Sequence, residues 1–112
     1  MLRAPHRLTK DKEFNYVFTK GRSSYDNILG VKTALNSLKS NRFGILVGVK
    51  ISKKSVDRNK IKRQIREAIK KEFPSLKLGW DIVIIALPAI KDKTSQDIIN
   101  SLNFHFTKLR LR

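Results

Sequence analysis

Apolar positions along this chain change period from block to block. In KDKEFNYVFTKG, residues 10–21, Phe14, Val17 and Phe18 share one helical face and Tyr16 falls on another. Thr9 is placed to cap that helix and Gly21 to follow its end. SYDNILGVKTAL and RFGILVGVKI then flank the polar, turn-like NSLKSN. In the second, Phe43, Ile45, Val47 and Val49 alternate with Gly44, Leu46 and Gly48, which predicts a strand. Glycines at 44 and 48 leave room on that face for another backbone or a ligand. WDIVIIALP is a continuous β-branched run, hence a strand buried on both faces or central in its sheet. Thr94 opens a TSQD capping box, and Ile98, Ile99, Leu102, Phe106 and Leu109 make a helical stripe.

Residues 57–73, DRNKIKRQIREAIKKEF, set isoleucines at core spacing inside a run of cations. With Ile61 at zero and about 100° per residue, Ala68, Glu72, Ile65 and Ile69 fall between about −20° and 80°, and Phe73 near about 120°. That arc faces the sheet. Arg66, Asn59, Lys70 and Arg63 gather between about 140° and 200°, with Lys62 at the boundary near about 100°. They form a cationic stripe beside the apolar one, while Lys60, Gln64, Glu67 and Lys71 take the solvated side. Arg58 falls at about 60°, inside the apolar arc, but in the first turn, where the chain is only entering the helix. A cation there opposes the helix dipole at a cost of about 0.3–1 kcal/mol. Asp57 offsets this either as a cap or as an ion-pair partner. The placement makes sense if Arg58 and the free N–H groups together hold a phosphate or a base edge. Pro74 ends the helix by pushing the residues before it out of helical geometry.

Helix, strands, helix, strand, helix is the order of an α+β fold: one antiparallel or mixed sheet with helices packed on it. The 112 residues suit one domain, 1–112, with a modest core. Charge narrows the function. The chain holds 25 Lys and Arg against 9 Asp and Glu, a formal net charge of +16. Self-repulsion of that size calls for a polyanionic partner, nucleic acid first and an anionic membrane surface second. Within residues 50–71, ten Lys or Arg meet only Asp57 and Glu67, so the helix is not laced by its own salt bridges. Lys50, Lys53 and Lys54 strengthen the field at its mouth. The chain has no cysteine, which excludes disulfides and thiolate zinc sites. No run approaches the roughly 20 apolar residues of a membrane span. MLRAPHRLTKDKEF has no apolar region of a secretory signal, so the expected location is the cytoplasm.

The segment Lys53-Lys54-Ser55-Val56-Asp57-Arg58-Asn59-Lys60-Ile61-Lys62-Arg63-Gln64-Ile65-Arg66-Glu67-Ala68 resembles the signature of the bacterial ribonuclease P protein component. That signature is a lysine-rich strand end leading into a helix that begins R-N-R-x-K-R and continues to R-E. HRLTKDKEFNYVFTKG is similar to the family's R-L-x-x-x-x-x-F-x-x-V-F-x-x-G opening. RFGILVGVKISKK resembles its G-x-x-V-x-K-K strand and WDIVIIALP its D-hydrophobic-A-x-P strand, so the likeness covers nearly the whole chain. Lys60 departs from arginine, keeping charge but losing bidentate geometry. Gly48-Val49-Lys50 replaces S-K-K, with Ser52-Lys53-Lys54 three residues further on, and Leu87 replaces a common basic residue.

The resemblance implies a two-layer α/β sandwich of order α-β-β-β-α-β-α, with a mixed, mostly antiparallel sheet and an unusual left-handed βαβ crossover. It implies that Arg58, Asn59, Lys60, Lys62, Arg63 and Arg66 contact the catalytic RNA, with Lys50, Lys53 and Lys54 beside them. Phe14 and Phe18 match aromatics of a cleft that holds the 5′ leader of precursor tRNA, where bases stack at about 1–3 kcal/mol each. The same rings read equally as packing of the first helix on the sheet, and one ring can do both.

No catalytic constellation is visible in the sequence. His6 and His105 read as incidental surface or helix histidines, and Asp81 as a strand-edge ion pair rather than a metal ligand. Without a carboxylate cluster, a protein-only two-metal nuclease is not expected. The resemblance implies hydrolysis by the RNA subunit with its magnesium ions, and no cofactor or metal is expected on the protein. The expected partners are ribonuclease P RNA and precursor tRNA, with no membrane and no obligate protein partner. The competing readings are a small ribosomal or general RNA-binding protein without a role in cleavage, and a DNA-binding protein using the basic helix in the major groove. The second lacks the dimeric or helix-turn-helix setting such helices use.

Overall fold

Residues 7–112 are described in the computed structural model of the chain; the histidine expectation at His6 lies outside them. Helix α1 spans Asp11–Lys20, and strands β1 (Arg22–Tyr25), β2 (Leu29–Leu35) and β3 (Arg42–Leu46) follow. Then come α2 (Ser55–Glu72), β4 (Trp80–Ala86) and α3 (Ser95–Lys108). The most apolar run, β4, takes a central place in the sheet, where both its faces are covered. Strand order is β1-β2-β4-β3, antiparallel for β1/β2 and β2/β4 and parallel for β3/β4. Helix α2 makes the crossover between the parallel pair. The expected α+β class, mixed sheet and α-β-β-β-α-β-α order are all present.

Alternation along the strands divides their side chains between two faces. On one, Leu29, Val31, Phe43, Ile82 and Ile84 merge with Ile61, Ile65 and Ile69 of α2 and Ile98, Leu102 and Phe106 of α3 into the main core. On the other, Ala34 and Val83 join Leu8 and Val17 in a smaller cluster, with Phe14 and Ile85 packed against it. Helix α1 is short, and at its margin Phe18, Tyr25 and Leu46 stay exposed.

Local chemistry moves several boundaries away from the sequence expectation. Lys10, not Thr9, takes the N-cap of α1, and Glu13 Oε1 reaches back to accept from the N–H groups of Thr9 and Lys10, each at 3.1 Å. Strand β3 stops at Leu46 because the chain turns at Gly48, whose carbonyl accepts from Ile51 N–H at 3.1 Å. Val47 is buried there, while Val49 is exposed. Phe73 stays helical before Pro74, at φ −49° and ψ −47°, because its ring is drawn against Phe43 with centroids 5.7 Å apart. Pro74 is accommodated in a 3-10 turn, Phe73–Ser75, at a position that needs no N–H donor. The TSQD box forms as expected: Thr94 Oγ1 accepts from Asp97 N–H at 3.1 Å, and Asp97 Oδ2 from Thr94 N–H at 3.0 Å.

Polar clasps tie these layers together. Arg42 Nε and Nη2 donate to Asp81 at 2.8 and 2.6 Å, and Nη1 donates to Glu13 of α1 at 2.5 Å. Asp81 is therefore the ion-pairing residue its position at a strand edge predicts. Glu72, on the sheet-facing arc of α2, pairs with Arg112 at 2.9 Å. His105 is no incidental surface residue: it is fully buried, with Nδ1 2.6 Å from Ser24 Oγ. Its Nε2 lies 3.2 Å from Asp26 Oδ2, close enough for attraction but not aligned for a hydrogen bond. Asp26 Oδ2 accepts from Ser101 Oγ at 2.5 Å, so β1, the following turn and α3 are fastened at one buried point.

Two outcomes follow from these clasps. Arg42→Met leaves Asp81 buried without its cation and is expected to lower unfolding stability by about 3–5 kcal/mol in urea titration; a loss below about 1 kcal/mol would show the clasp to be dispensable. Burial pushes the His105 imidazole below its ordinary 6.5, and the Asp26 carboxylate restores this only in part. The unfolded chain then takes up a proton that the folded chain refuses, so stability falls as pH drops through about 6.5. Burial opposes ionisation of Asp26, but hydrogen bonds from Ser101, Leu29 and Ile28 hold its carboxyl below the ordinary value, so its own contribution is lost only at more acid pH. The thermal midpoint should be lower at about pH 5 than at about pH 7.5, and His105→Asn should flatten that difference. Equal pH dependence in both proteins would rule His105 out as its source.

Candidate nucleic-acid interface

No Lys or Arg of α2 forms an ion pair with a carboxylate among the described residues. Among the described residues the ion pairs are Arg42 with Glu13 and Asp81, Arg112 with Glu72, and His105 with Asp26. None involves Arg58, Lys60, Lys62, Arg63 or Arg66. Asn59, Arg63, Arg66 and Glu67 line a shallow depression of about 320 Å³. Gln64 does not line it, and its Nε2 lies 3.5 Å from Ser95 Oγ of α3. Lys60 stands exposed outside it, and Lys50, Lys53 and Lys54 are exposed in the segment before α2.

The helix mouth is organised around Ser52. Arg58, half-buried, donates from Nη1 to the Ser52 carbonyl at 2.8 Å. Ser52 Oγ donates to Asp57 Oδ2 at 2.8 Å and accepts from Lys54 N–H at 3.2 Å. Asp57 thus neither caps α2 nor pairs with Arg58, correcting both alternatives: the buried Ser52 hydroxyl lies within its reach and takes the carboxylate. Arg58 is anchored by one nitrogen, in the first turn as expected.

Lys62 and Arg66 reach over the edge of β3. With Arg7, Leu8, Phe14 and Gly44 they line a groove of about 180 Å³, together with Phe43 and Ile45. Leu8 N–H donates to the Phe43 carbonyl at 2.8 Å, which holds Arg7 along that edge. Gly44 is the seat of the Phe14 ring, since a Cβ there would lie 2.6 Å from Phe14 Cζ. The close approach expected at Gly44 is therefore an aromatic ring. Gly48 has no neighbour within 4 Å of the corresponding position, because the strand has already ended.

Beyond Phe14 the sheet face opens. Phe18 is 40% exposed, and Lys32 Nζ sits 5.6 Å from its ring centroid. Tyr25 is 47% exposed, and its ring covers Gly30, its antiparallel partner, where any side chain would collide with it. Ser23 pairs with Lys32 in the same register, so Phe18, Lys32 and Tyr25 share one surface. Of the two expected cleft aromatics, Phe18 is available, while Phe14 is half-buried as the floor of the neighbouring groove. Arg7, Lys32 and Tyr25 were not singled out from sequence. The Tyr25–Gly30 pairing follows from the Asp26 turn, whose Oδ1 accepts from Ile28 and Leu29 N–H at 2.9 Å each, and the aspartate in SYDN was the available signal.

This surface can hold phosphates and stack bases. Among the described residues no three His, Asp or Glu side chains gather as metal ligands, and no helix is long and apolar enough to cross a membrane. Fold and surface together define a small basic nucleic-acid-binding protein. The family model for ribonuclease P matches residues 2–110, and the chain belongs to the bacterial ribonuclease P protein family. Among its relatives are the ribonuclease P protein components of a Cyanothece species, 33% identical over 91% of this chain and 90% of that one, and of Clostridium botulinum, 36% identical over 87% of each. The ribonuclease P protein of Staphylococcus aureus, 34% identical, superposes with a TM-score of 0.86 over 95% of this chain and 96% of that one. That of Thermotoga maritima, 28% identical, superposes with a TM-score of 0.80 over 88% and 96%. The role is accordingly that of a protein subunit in a ribonucleoprotein endoribonuclease of tRNA processing, with ribonuclease P RNA as its partner. The ribosomal or general RNA-binding alternative is set aside.

Because Arg63 has no ion-pair partner among the described residues, Arg63→Ala is expected to change stability of the free protein by less than about 0.5 kcal/mol. A larger loss in urea unfolding would mean that the cation serves the fold.

Proposed function

We propose that α2 docks on ribonuclease P RNA through Arg58, Asn59, Lys60, Lys62, Arg63 and Arg66, with Lys50, Lys53 and Lys54 extending the contact at the helix mouth. The open face between α1 and the sheet receives the 5′ leader of precursor tRNA. Phe14 forms the floor of the adjoining groove, Phe18 and Tyr25 stack leader bases, and Lys32 neutralises a phosphate between them. Hydrolysis belongs to the RNA subunit and its magnesium ions; the protein holds the substrate and offsets phosphate repulsion, in the cytoplasm.

The observation that carries this reading is continuity. Lys62 and Arg66 belong at once to the cationic side of α2 and to the groove that ends at Phe14. A single strand leaving the aromatic face therefore meets the same cations that face the RNA subunit. Offsetting charge at this junction lets two polyanions approach each other.

Reconstitution with the cognate ribonuclease P RNA tests both surfaces. Arg58→Ala and Arg63→Ala are each expected to weaken RNA-subunit binding and to reduce its salt dependence by about one ion equivalent. A slope equal to wild type would remove those residues from the interface. Phe18→Ala is expected to weaken binding of long-leader precursor about fivefold or more while sparing a leaderless tRNA. Equal loss on both substrates would sink the leader assignment, and failure to produce the mature 5′ end at low magnesium would sink the proposal as a whole.

A further inference from the structure

We infer that the outer stripe of α3 is a second RNA-contact site, which seats one unpaired base on the ring of Phe104. The buried side of α3 is supplied by Ile98, Ser101, Leu102, His105 and Phe106. On its outer side Asn100, Asn103, Phe104, Thr107 and Lys108 line a shallow depression of about 460 Å³. Phe104 is 53% exposed there, whereas Phe106 is fully buried. Its ring is braced from below by the His105 imidazole, at 5.3 Å between centroids and 70° between planes. Lys108 Nζ lies 5.6 Å from the ring centroid.

The chemistry of this stripe differs from that of α2. In a chain of net charge +16 it offers one cation and no carboxylate. Around the ring stand two carboxamides and a hydroxyl, groups that pair donors with acceptors as base edges do. Gln96 Nε2 donates to Asn100 Oδ1 at 2.9 Å, which fixes one of those amides and directs its own donors outward. An exposed aromatic plate, amides beside it and a single lysine at 5.6 Å from its centroid match one stacked nucleotide: base on the ring, base edge to the amides, phosphate to Lys108. A protein partner for a chain this basic would be met by many cations, and the stripe has one. The lining of this depression shares no residue with the α2 depression or with the β3 groove, so the site is separate from both. The inference rests on the RNA partner that family membership brings, and the base can come from the RNA subunit or from the precursor.

Assembly of the full protein with its ribonuclease P RNA, with and without precursor tRNA, provides the test. Phe104→Ala is expected to weaken binding of the RNA that supplies the base by about 5- to 100-fold, with the salt slope unchanged, and Phe104→Tyr to stay within about threefold of wild type. Lys108→Gln should lower the slope by about one ion equivalent. A photoreactive azidophenylalanine at position 104, illuminated in the folded complex, should attach to one nucleotide and so identify the source as RNA subunit or precursor. Wild-type affinity of Phe104→Ala together with no RNA crosslink overturns the inference. Attachment to a second copy of the protein, with a concentration-dependent dimer in sedimentation that Phe104→Ala abolishes, overturns it in favour of a self-association surface. A normal loss of affinity in Arg63→Ala alongside either result leaves the α2 interface standing.

Discussion

The structure depends on where its few carboxylates go. Against 25 basic side chains the chain has nine acids, and most are placed at joints of the fold. Asp81 and Glu13 share Arg42 and so fix α1 to the sheet. Asp26 sits between the β1–β2 turn and α3, Glu72 joins α2 to the C-terminal Arg112, Asp57 orders the mouth of α2 through Ser52, and Asp97 caps α3. Few acids remain to quench α2. A net charge of +16 is consequently distributed unevenly: offset where elements meet, uncompensated along one helix. Exposed charges on that helix repel one another, and the free protein tolerates this because Ile61, Ile65 and Ile69 anchor the opposite side in the main core.

The other face of the sheet is arranged by two glycines rather than by charge. Gly44 and Gly30 each lack the Cβ that would exclude a ring, and each is occupied by an aromatic side chain, Phe14 from α1 and Tyr25 from β1. The two seats have opposite consequences. Phe14 is pulled into the smaller core and becomes the floor of the β3 groove. Tyr25 lies flat at the margin of the sheet, where α1 does not cover it, and keeps its outer surface open. Phe18, one turn along α1 from Phe14, projects beyond the cluster and meets Lys32.

Much of this was legible in the sequence. The change of period from helical to alternating, and the unbroken apolar run of β4, gave the three helices, β3 and β4 their type, whereas the β1–β2 hairpin was implied only by the family resemblance. The helical wheel of α2 separated Ile61, Ile65, Ala68 and Ile69 from Asn59, Arg63 and Arg66 on the correct sides. What escaped depends on contacts distant in sequence. His105 reads as a polar interruption of an amphipathic helix until Ser24, 81 residues away, is seen beside it. Asp57 reads as a cap until the loop is seen to bring the Ser52 hydroxyl within 2.8 Å of its carboxylate. Tyr25 and Lys32 share a surface only because the Asp26 turn sets the hairpin register, and a one-residue slip would send each to the opposite face.

Arg58 shows how the two demands on α2 are reconciled. A cation at a helix N-terminus is opposed by the dipole, and one inside the apolar arc is opposed by desolvation. Both penalties shrink in the first turn if a carbonyl oxygen is at hand, and the Ser52 carbonyl at 2.8 Å supplies it. The guanidinium is held by one nitrogen while its charge remains unpaired by any described carboxylate. If Arg58 contacts RNA as proposed, a lysine at this position would offer a single ammonium to both the carbonyl and a phosphate, whereas the planar fork separates the two tasks. By the same logic, the proposed contact through Lys60 is of a different kind. It stands on the solvated side, tied to nothing in the fold, and contributes charge without direction. Geometry at the helix mouth is thus fixed by the residue that anchors to Ser52, and its exposed neighbours add field.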